Sequence, residues 1–249
     1  MKIYSTLQIG EFHLNHCEDY LIIEDPGKDK KLLAVMDGCT MGRDSYFVST
    51  LVGKILKKIC KTRNYKELYR LSPIFPTMED YLKSIIEELF FELKNIRQQL
   101  LLEQKDLLTT LIILLTDSSS QQGIVLVIGD GLVNINGVIA EFDQDNKPDY
   151  LGFHLNEDFE KWYASLSQKI SFHEIKDISI ATDGITMFKK FRNDVTDPEI
   201  DPIKFLVKDK TGTDDEEMLD LKLKKLEHKY GYRPTDDIAV IRLINEHAI

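Results

Sequence analysis

Residues 32–38 read Leu32-Leu33-Ala34-Val35-Met36-Asp37-Gly38, a short apolar run that stops at an acid and a glycine. A run of this length reads as a strand, and Asp-Gly is a turn signal that ends it. The figure recurs at Val125-Leu126-Val127-Ile128-Gly129-Asp130-Gly131 and at Ile178-Ser179-Ile180-Ala181-Thr182-Asp183-Gly184. It appears in reverse at Thr235-Asp236-Asp237, which leads into Ile238-Ala239-Val240-Ile241, and again at Glu18-Asp19, which opens the run Tyr20 to Ile23. Acids therefore stand at the ends of several distinct strands.

Working outward, Ile3, Leu7 and Ile9 alternate with Tyr4, Thr6 and Gln8, the period of a half-buried strand. This strand, Tyr20–Ile23 and Leu32–Met36 read together as an antiparallel meander, with Asp25-Pro26-Gly27 as a turn. Apolar positions at helical spacing mark a helix over 46–59. Thr77 with Asp80 three residues later resembles a capping box and opens a long helix to about Lys105. Further strands follow at Leu107–Thr116, Ile124–Ile128, Leu132–Ile139, Tyr150–His154 and Ile178–Thr182. The first of these is apolar on both faces and reads as central. The pattern is weak over 156–174. Helices are expected over 199–208 and 214–230, the acidic run Asp214 to Glu217 being the start of the second. Ile238–Ile244 closes the chain as a strand. This order predicts an α+β fold with antiparallel sheets in one domain.

Composition narrows the function. The 249 residues carry 32 Lys plus Arg against 42 Asp plus Glu, a net charge of −10. That balance disfavours general nucleic-acid binding. The longest apolar stretch is far short of the roughly 20 residues of a membrane-spanning helix, and no secretory pattern opens the chain. Cys17, Cys39 and Cys60 are too few and scattered for a disulfide framework, which predicts a reducing, cytoplasmic setting. Cys39 lacks the electropositive surroundings that a nucleophilic thiolate needs. His13 and His16 read as surface histidines, the lysine clusters at 28–31 and 222–225 as solvated faces, and Trp162 and Tyr163 as packing.

Acids at strand ends repel one another unless something positive neutralises them. Carboxylates and backbone carbonyls are the ligands of Mg²⁺ and Mn²⁺, and a pair of such ions binds phosphoryl groups and activates water. The ordered series Glu18-Asp19, Asp37-Gly38, Gly129-Asp130, Thr182-Asp183-Gly184 and Asp236-Asp237-Ile238 resembles the signature of the metal-dependent type 2C protein phosphatases, in particular their compact bacterial members. The resemblance implies a single phosphatase domain over 1–249 and a four-layer α-β-β-α sandwich of two antiparallel sheets flanked by helix pairs. It implies two divalent ions, Mn²⁺ or Mg²⁺, with a third held more weakly. Asp37 would bridge the pair, the Gly38 carbonyl would bind one ion, and Asp183 and Asp236 would complete the ligand set of the second ion. Glu18 would orient metal-bound water with Asp19 beside it, and Asp130 would help hold the third ion. The implied reaction is hydrolysis of phosphoserine or phosphothreonine esters of phosphoproteins by metal-activated water.

The chain departs from that family where phosphate is handled. The family's arginine four residues before the Glu is Leu14 here, with His13, His16 and Arg43 as alternatives nearby. Asp37-Gly38 is followed by Cys39-Thr40-Met41-Gly42, which lacks the family's leaving-group histidine, and no arginine follows Gly129-Asp130. These departures leave a second reading open, a catalytically weak module with a binding or regulatory role. The stretch between Lys189 and Asp214 is expected to form a substrate flap.

Overall fold

The computed structural model describes residues 1–39, 45–71, 73–144, 148–192 and 200–245. Strands β1 (Lys2–Gln8), β2 (Asp19–Gly27) and β3 (Lys30–Asp37) lead into helices α1 (Ser45–Leu68) and α2 (Met78–Leu100). Strands β4 (Leu111–Asp117), β5 (Gln122–Ile128), β6 (Gly131–Ile135) and β7 (Val138–Phe142) precede helix α3 (Phe159–Ser165). Then come β8 (Lys169–Phe172), β9 (Asp177–Ala181), β10 (Phe188–Lys190), α4 (Pro202–Val207), α5 (Met218–Tyr230), β11 (Tyr232–Pro234) and β12 (Ile238–Ile244).

The strands form two five-stranded antiparallel sheets, ordered β2-β3-β4-β5-β8 and β1-β12-β9-β6-β7, with β10 and β11 as a separate pair. The fold is α+β, as expected, and β4 lies in the middle of its sheet. Alternation along the strands sorts the core. Leu32, Ala34 and Met36 of β3, with Leu111, Ile113 and Leu115 of β4, pack against the buried faces of α1, α2 and α3. The intervening residues Leu33, Val35, Ile112 and Leu114 meet Ile178, Ile180, Ala239 and Ile241 of the second sheet. The outer face of that sheet, through Tyr4, Val240 and Ile244, packs on Leu206 of α4 and Leu219, Leu223 and Leu226 of α5. The apolar stripe of α2 is thus core, as are Trp162 and Tyr163. Thr77 caps α2 by accepting the Asp80 N–H at 3.0 Å.

One charged side chain sits deep in the second layer. Arg242, fully buried, donates to both carboxylate oxygens of Asp177 at 2.9 and 2.7 Å and to the carbonyls of Leu206 and Asp209 at 2.8 Å. This fork ties β12 to β9 and to the α4 end.

Several sequence expectations need correction. β1 does not join β2 in a meander; it pairs with β12 across the whole chain, Lys2 opposite Ile244. Its buried side carries Tyr4 and Thr6, while Leu7 is exposed, because that face meets α5. The run 132–139 breaks into β6 and β7 at Asn136-Gly137, where both residues have positive φ (52° and 92°), the signature of a tight hairpin turn. Residues 151–153 form a 3-10 turn, not a strand. Helix α2 ends at Leu100, and the acidic run 214–217 forms turns ahead of α5. Lys222 is not solvated: it is buried and donates to Phe205 O at 2.8 Å and to Asp209 Oδ1 at 2.6 Å. Among the described residues no helix is long and apolar enough to cross a membrane. Of the expected flap, residues 193–199 lie outside the described residues, and the described part holds the end of β10 and all of α4.

Candidate active site

Both sheets present strand ends at one edge. Asp37 is the last residue of β3, and its backbone is fixed on the two threonines just ahead of β4: its N–H donates to Thr110 Oγ1 at 3.1 Å, and its carbonyl accepts from Thr110 N at 2.9 Å and Thr109 Oγ1 at 2.7 Å. Gly38 donates its N–H to Glu18 O at 3.2 Å. A Cβ at Gly38 would stand 2.0 Å from the Ser45 carbonyl oxygen, so only glycine lets the chain leave β3 this close to the start of α1. Glu18 is held twice by α1, its carboxylate by Ser45 Oγ and its carbonyl by Ser49 Oγ, both at 2.5 Å.

Asp183 follows β9 in a 3-10 turn, and Asp236 immediately precedes Asp237 and β12. A Cβ at Gly184 would lie 1.8 Å from Asp237 O, so the glycine allows the two turns to press together. Asp130 links β5 of one sheet to β6 of the other. Glu18, Asp37, Gly38, Asp130, Asp183 and Asp236, with Cys39, Pro148, Tyr150 and Met187, line one cleft of about 180 Å³. Asp19 does not reach it. It stands opposite Asp37 in the β2–β3 register, and its buried carboxylate accepts Thr182 Oγ1 at 2.6 Å from the other sheet.

The electrostatics follow from burial. Desolvation first, then Asp130 and Asp236, push Asp183 up to about 7. Desolvation with Asp143 and Asp236 raises Asp130 to about 6. Asp37 lies well above the usual carboxylate range through burial and the charges of Asp19, Asp183 and Asp236. Asp19 is raised chiefly by its own burial, and Glu18 by burial only partly offset by the Ser45 hydrogen bond.

Two residues of this edge carry roles that sequence reading did not assign. Asp237, almost fully buried, accepts the N–H groups of Gly10 at 2.7 Å and Glu18 at 2.5 Å, clamping the loop between β1 and β2 onto the start of β12. His13 is not a free surface histidine. Its Nδ1 lies 3.0 Å from Asp237 Oδ2 and its Nε2 3.6 Å from Asp236 Oδ1. Burial alone would lower its pKa, but Asp237, Asp236 and Glu18 outweigh it and hold the imidazole above its usual value. His16 stacks near Tyr46, ring centroids 4.3 Å apart. Leu14 is 89% exposed. Arg43 lies outside the described residues.

Among the described residues no three His, Cys, Asp or Glu side chains form a ready-made ion-binding group. The donor set nevertheless suits hard divalent cations: five acidic side chains and a backbone carbonyl share one cleft, and their mutual repulsion is what such ions would relieve.

The family model for protein phosphatase 2C matches residues 12–225, and the chain belongs to that family. No curated protein matches it in sequence. Solved structures of similar fold include a variant of a bacterial serine phosphatase, with a TM-score of 0.62 at 18% identity over 99% of both chains. The serine/threonine phosphatase Stp1 from Staphylococcus aureus aligns with a TM-score of 0.58 at 16% identity, over 99% of this chain and 96% of that one. RsbX in complex with magnesium aligns with a TM-score of 0.52 at 16% identity, over 96% of this chain and 92% of that one. Family and fold together support a phosphatase function.

Proposed function

We propose that this chain, as one domain over 1–249, is a metal-dependent phosphatase that hydrolyses phosphoserine and phosphothreonine esters of proteins in the cytoplasm. The observation that carries this reading is the meeting of Glu18, Asp37, Asp130, Asp183 and Asp236 in one cleft from five separate segments. Three free cysteines support the reducing compartment. Asp37, the Gly38 carbonyl, Asp183 and Asp236 would hold two Mn²⁺ or Mg²⁺ ions, with Asp130 serving a third, weaker one and Asp19 supporting Asp37 from behind. Such ions, when bound, offset phosphate charge and acidify water. The protein's own part is positional. Glu18, fixed by Ser45, orients the attacking water, and the tie between Thr182 and Asp19 keeps the two sheets' acids in register. Tyr150 and Met187 supply less polar cleft wall.

Hydrolysis of para-nitrophenyl phosphate with and without Mn²⁺ tests the reading. Turnover should need the metal and disappear in Asp37→Asn, which should also weaken Mn²⁺ binding while leaving the fold intact. An unfolded Asp37→Asn with undiminished metal affinity would make Asp37 structural. One observation favours a second reading. Leu14, exposed where the family keeps an arginine, offers phosphate no charge. A binding module would take up metal yet turn over neither this ester nor any phosphopeptide.

A further inference from the structure

The acidic cleft has a neighbour. A second pocket, of about 410 Å³, also has Glu18 in its wall, together with Phe12, Leu14, His16, Ser45 and Tyr46. Three of these are large apolar side chains left in water: Leu14 is 89% exposed, Phe12 63% and Tyr46 38%. They come from two different segments, the loop after β1 and the first turn of α1, and they converge beside the candidate reaction centre. In the aromatic wall the His16 ring lies tilted against Tyr46 and Lys189 Nζ lies 5.1 Å over the Phe12 ring. His13, also in this pocket, is engaged by Asp237. Clustered apolar surface continuous with a cleft marks a place where a ligand's apolar part is desolvated.

We infer that this pocket receives an apolar side chain, of leucine or phenylalanine size, adjacent to the phosphorylated residue of the substrate. The inference rests on the acidic cleft being the phosphate site, because the two spaces stand side by side with Glu18 in the wall of both. Charge decides the occupant. Among the described wall residues Glu18 carries the negative charge, His13 is matched by Asp237, and the acidic cleft lies alongside, so an acidic flank would be repelled. Lysine 189 is committed to the face of Phe12 at the rim. A neutral apolar flank instead covers Leu14 and Tyr46, and burying it removes apolar area from water on both partners.

The test uses peptides carrying a non-hydrolysable phosphonate in place of phosphoserine, with Leu, Ser or Asp at one of the two positions on either side. Binding to the Mn²⁺-loaded protein is read by fluorescence anisotropy. At one position the leucyl peptide should bind about tenfold more tightly than the seryl peptide, the amount that burial of one such side chain supplies. The aspartyl peptide should be the weakest. Leu14→Ser and Phe12→Ser, both at exposed positions, should reduce the leucine preference to about twofold or less without lowering the melting temperature. Equal binding of leucyl and seryl peptides at every position by the wild type, or a preference that survives both substitutions, overturns the inference. Hydrolysis of para-nitrophenyl phosphate, which has no flanking residue, is measured alongside. Turnover without leucine preference sinks the pocket alone. Leucine preference without turnover keeps the pocket and sinks the phosphatase reading.

Discussion

Replacing Asp237 by alanine should cost the protein about 3 kcal/mol of stability. Its carboxylate is 2% exposed and accepts two backbone N–H groups, from Gly10 at 2.7 Å and Glu18 at 2.5 Å. Leaving each donor unsatisfied costs about 1–3 kcal/mol, so the two together remove roughly 4 kcal/mol. Part of that returns, because the lost charge also raises the pKa of Glu18 and Asp19 and its removal eases their ionisation. His13 in turn loses its partner 3.0 Å away, and a net figure near 3 kcal/mol corresponds, for a chain of this size, to about 6–12 °C in melting temperature. Asp237→Asn keeps one oxygen acceptor and should lose about half as much. Urea denaturation in excess chelator reads the effect as a shift of midpoint at constant slope. A loss below about 0.5 kcal/mol for Asp237→Ala, or an Asn variant as damaged as the Ala variant, refutes the clamp. The slope is informative too. A fall in slope would mean that the loop from Gly10 to Glu18 is already detached before global unfolding.

Other expectations concern pH, the buried ion pair and the missing arginine. Asp183 at about 7 and Asp130 at about 6 hold protons in the folded chain that the unfolded chain releases near pH 4. Stability from those protons is complete below about pH 4 and is lost as pH rises through about 6 to 7, so the chelated protein's melting temperature should fall between about pH 5 and pH 8, and Mn²⁺ should suppress the fall. A rise over that range in chelator would contradict the assignment. Asp177→Ala leaves Arg242 buried without its carboxylate and should cost about 3–5 kcal/mol in urea denaturation. A loss under about 1 kcal/mol would mean that the Leu206 and Asp209 carbonyls suffice. Leu14→Arg should raise kcat/KM for phosphopeptides in general and erase any preference for an apolar neighbour. An unchanged or lower value would show that another residue already meets the phosphate.

The strands that were legible beforehand are those buried on both faces. Leu32 to Met36 and Leu111 to Leu115 are apolar without a break, and Ile238 to Ile244 is interrupted only by the buried Arg242, because one side meets helices and the other meets the opposite sheet. Their partners were not legible. Hydrogen bonding between Lys2 and Ile244 leaves no local trace, so β1 was assigned to the wrong neighbour. Short elements escaped as well. Helix α3 is seven residues long and takes its stability from Trp162 and Tyr163 in the core, not from periodicity. At the site, turn chemistry made Asp37, Asp130 and Asp183 stand out, since each needs a glycine beside it. Turn chemistry did not distinguish Asp236, which faces the cleft, from Asp237, which turns inward to two backbone amides; only the family resemblance singled out Asp236. The difference is one of side-chain direction across a strand end. His13 was equally opaque, because its partner lies at the other end of the chain.

The pairing of residues 2–8 with residues 238–244 sets a clock on the molecule. Strand β1 has no hydrogen-bonded neighbour in its sheet until β12 is in place, and Asp236 comes to the site with β12. A chain cut before residue 235 keeps three of the four cleft aspartates but lacks the strand that lies between β1 and β9. The full set of cleft acids therefore assembles only once β12 has taken its place in the sheet.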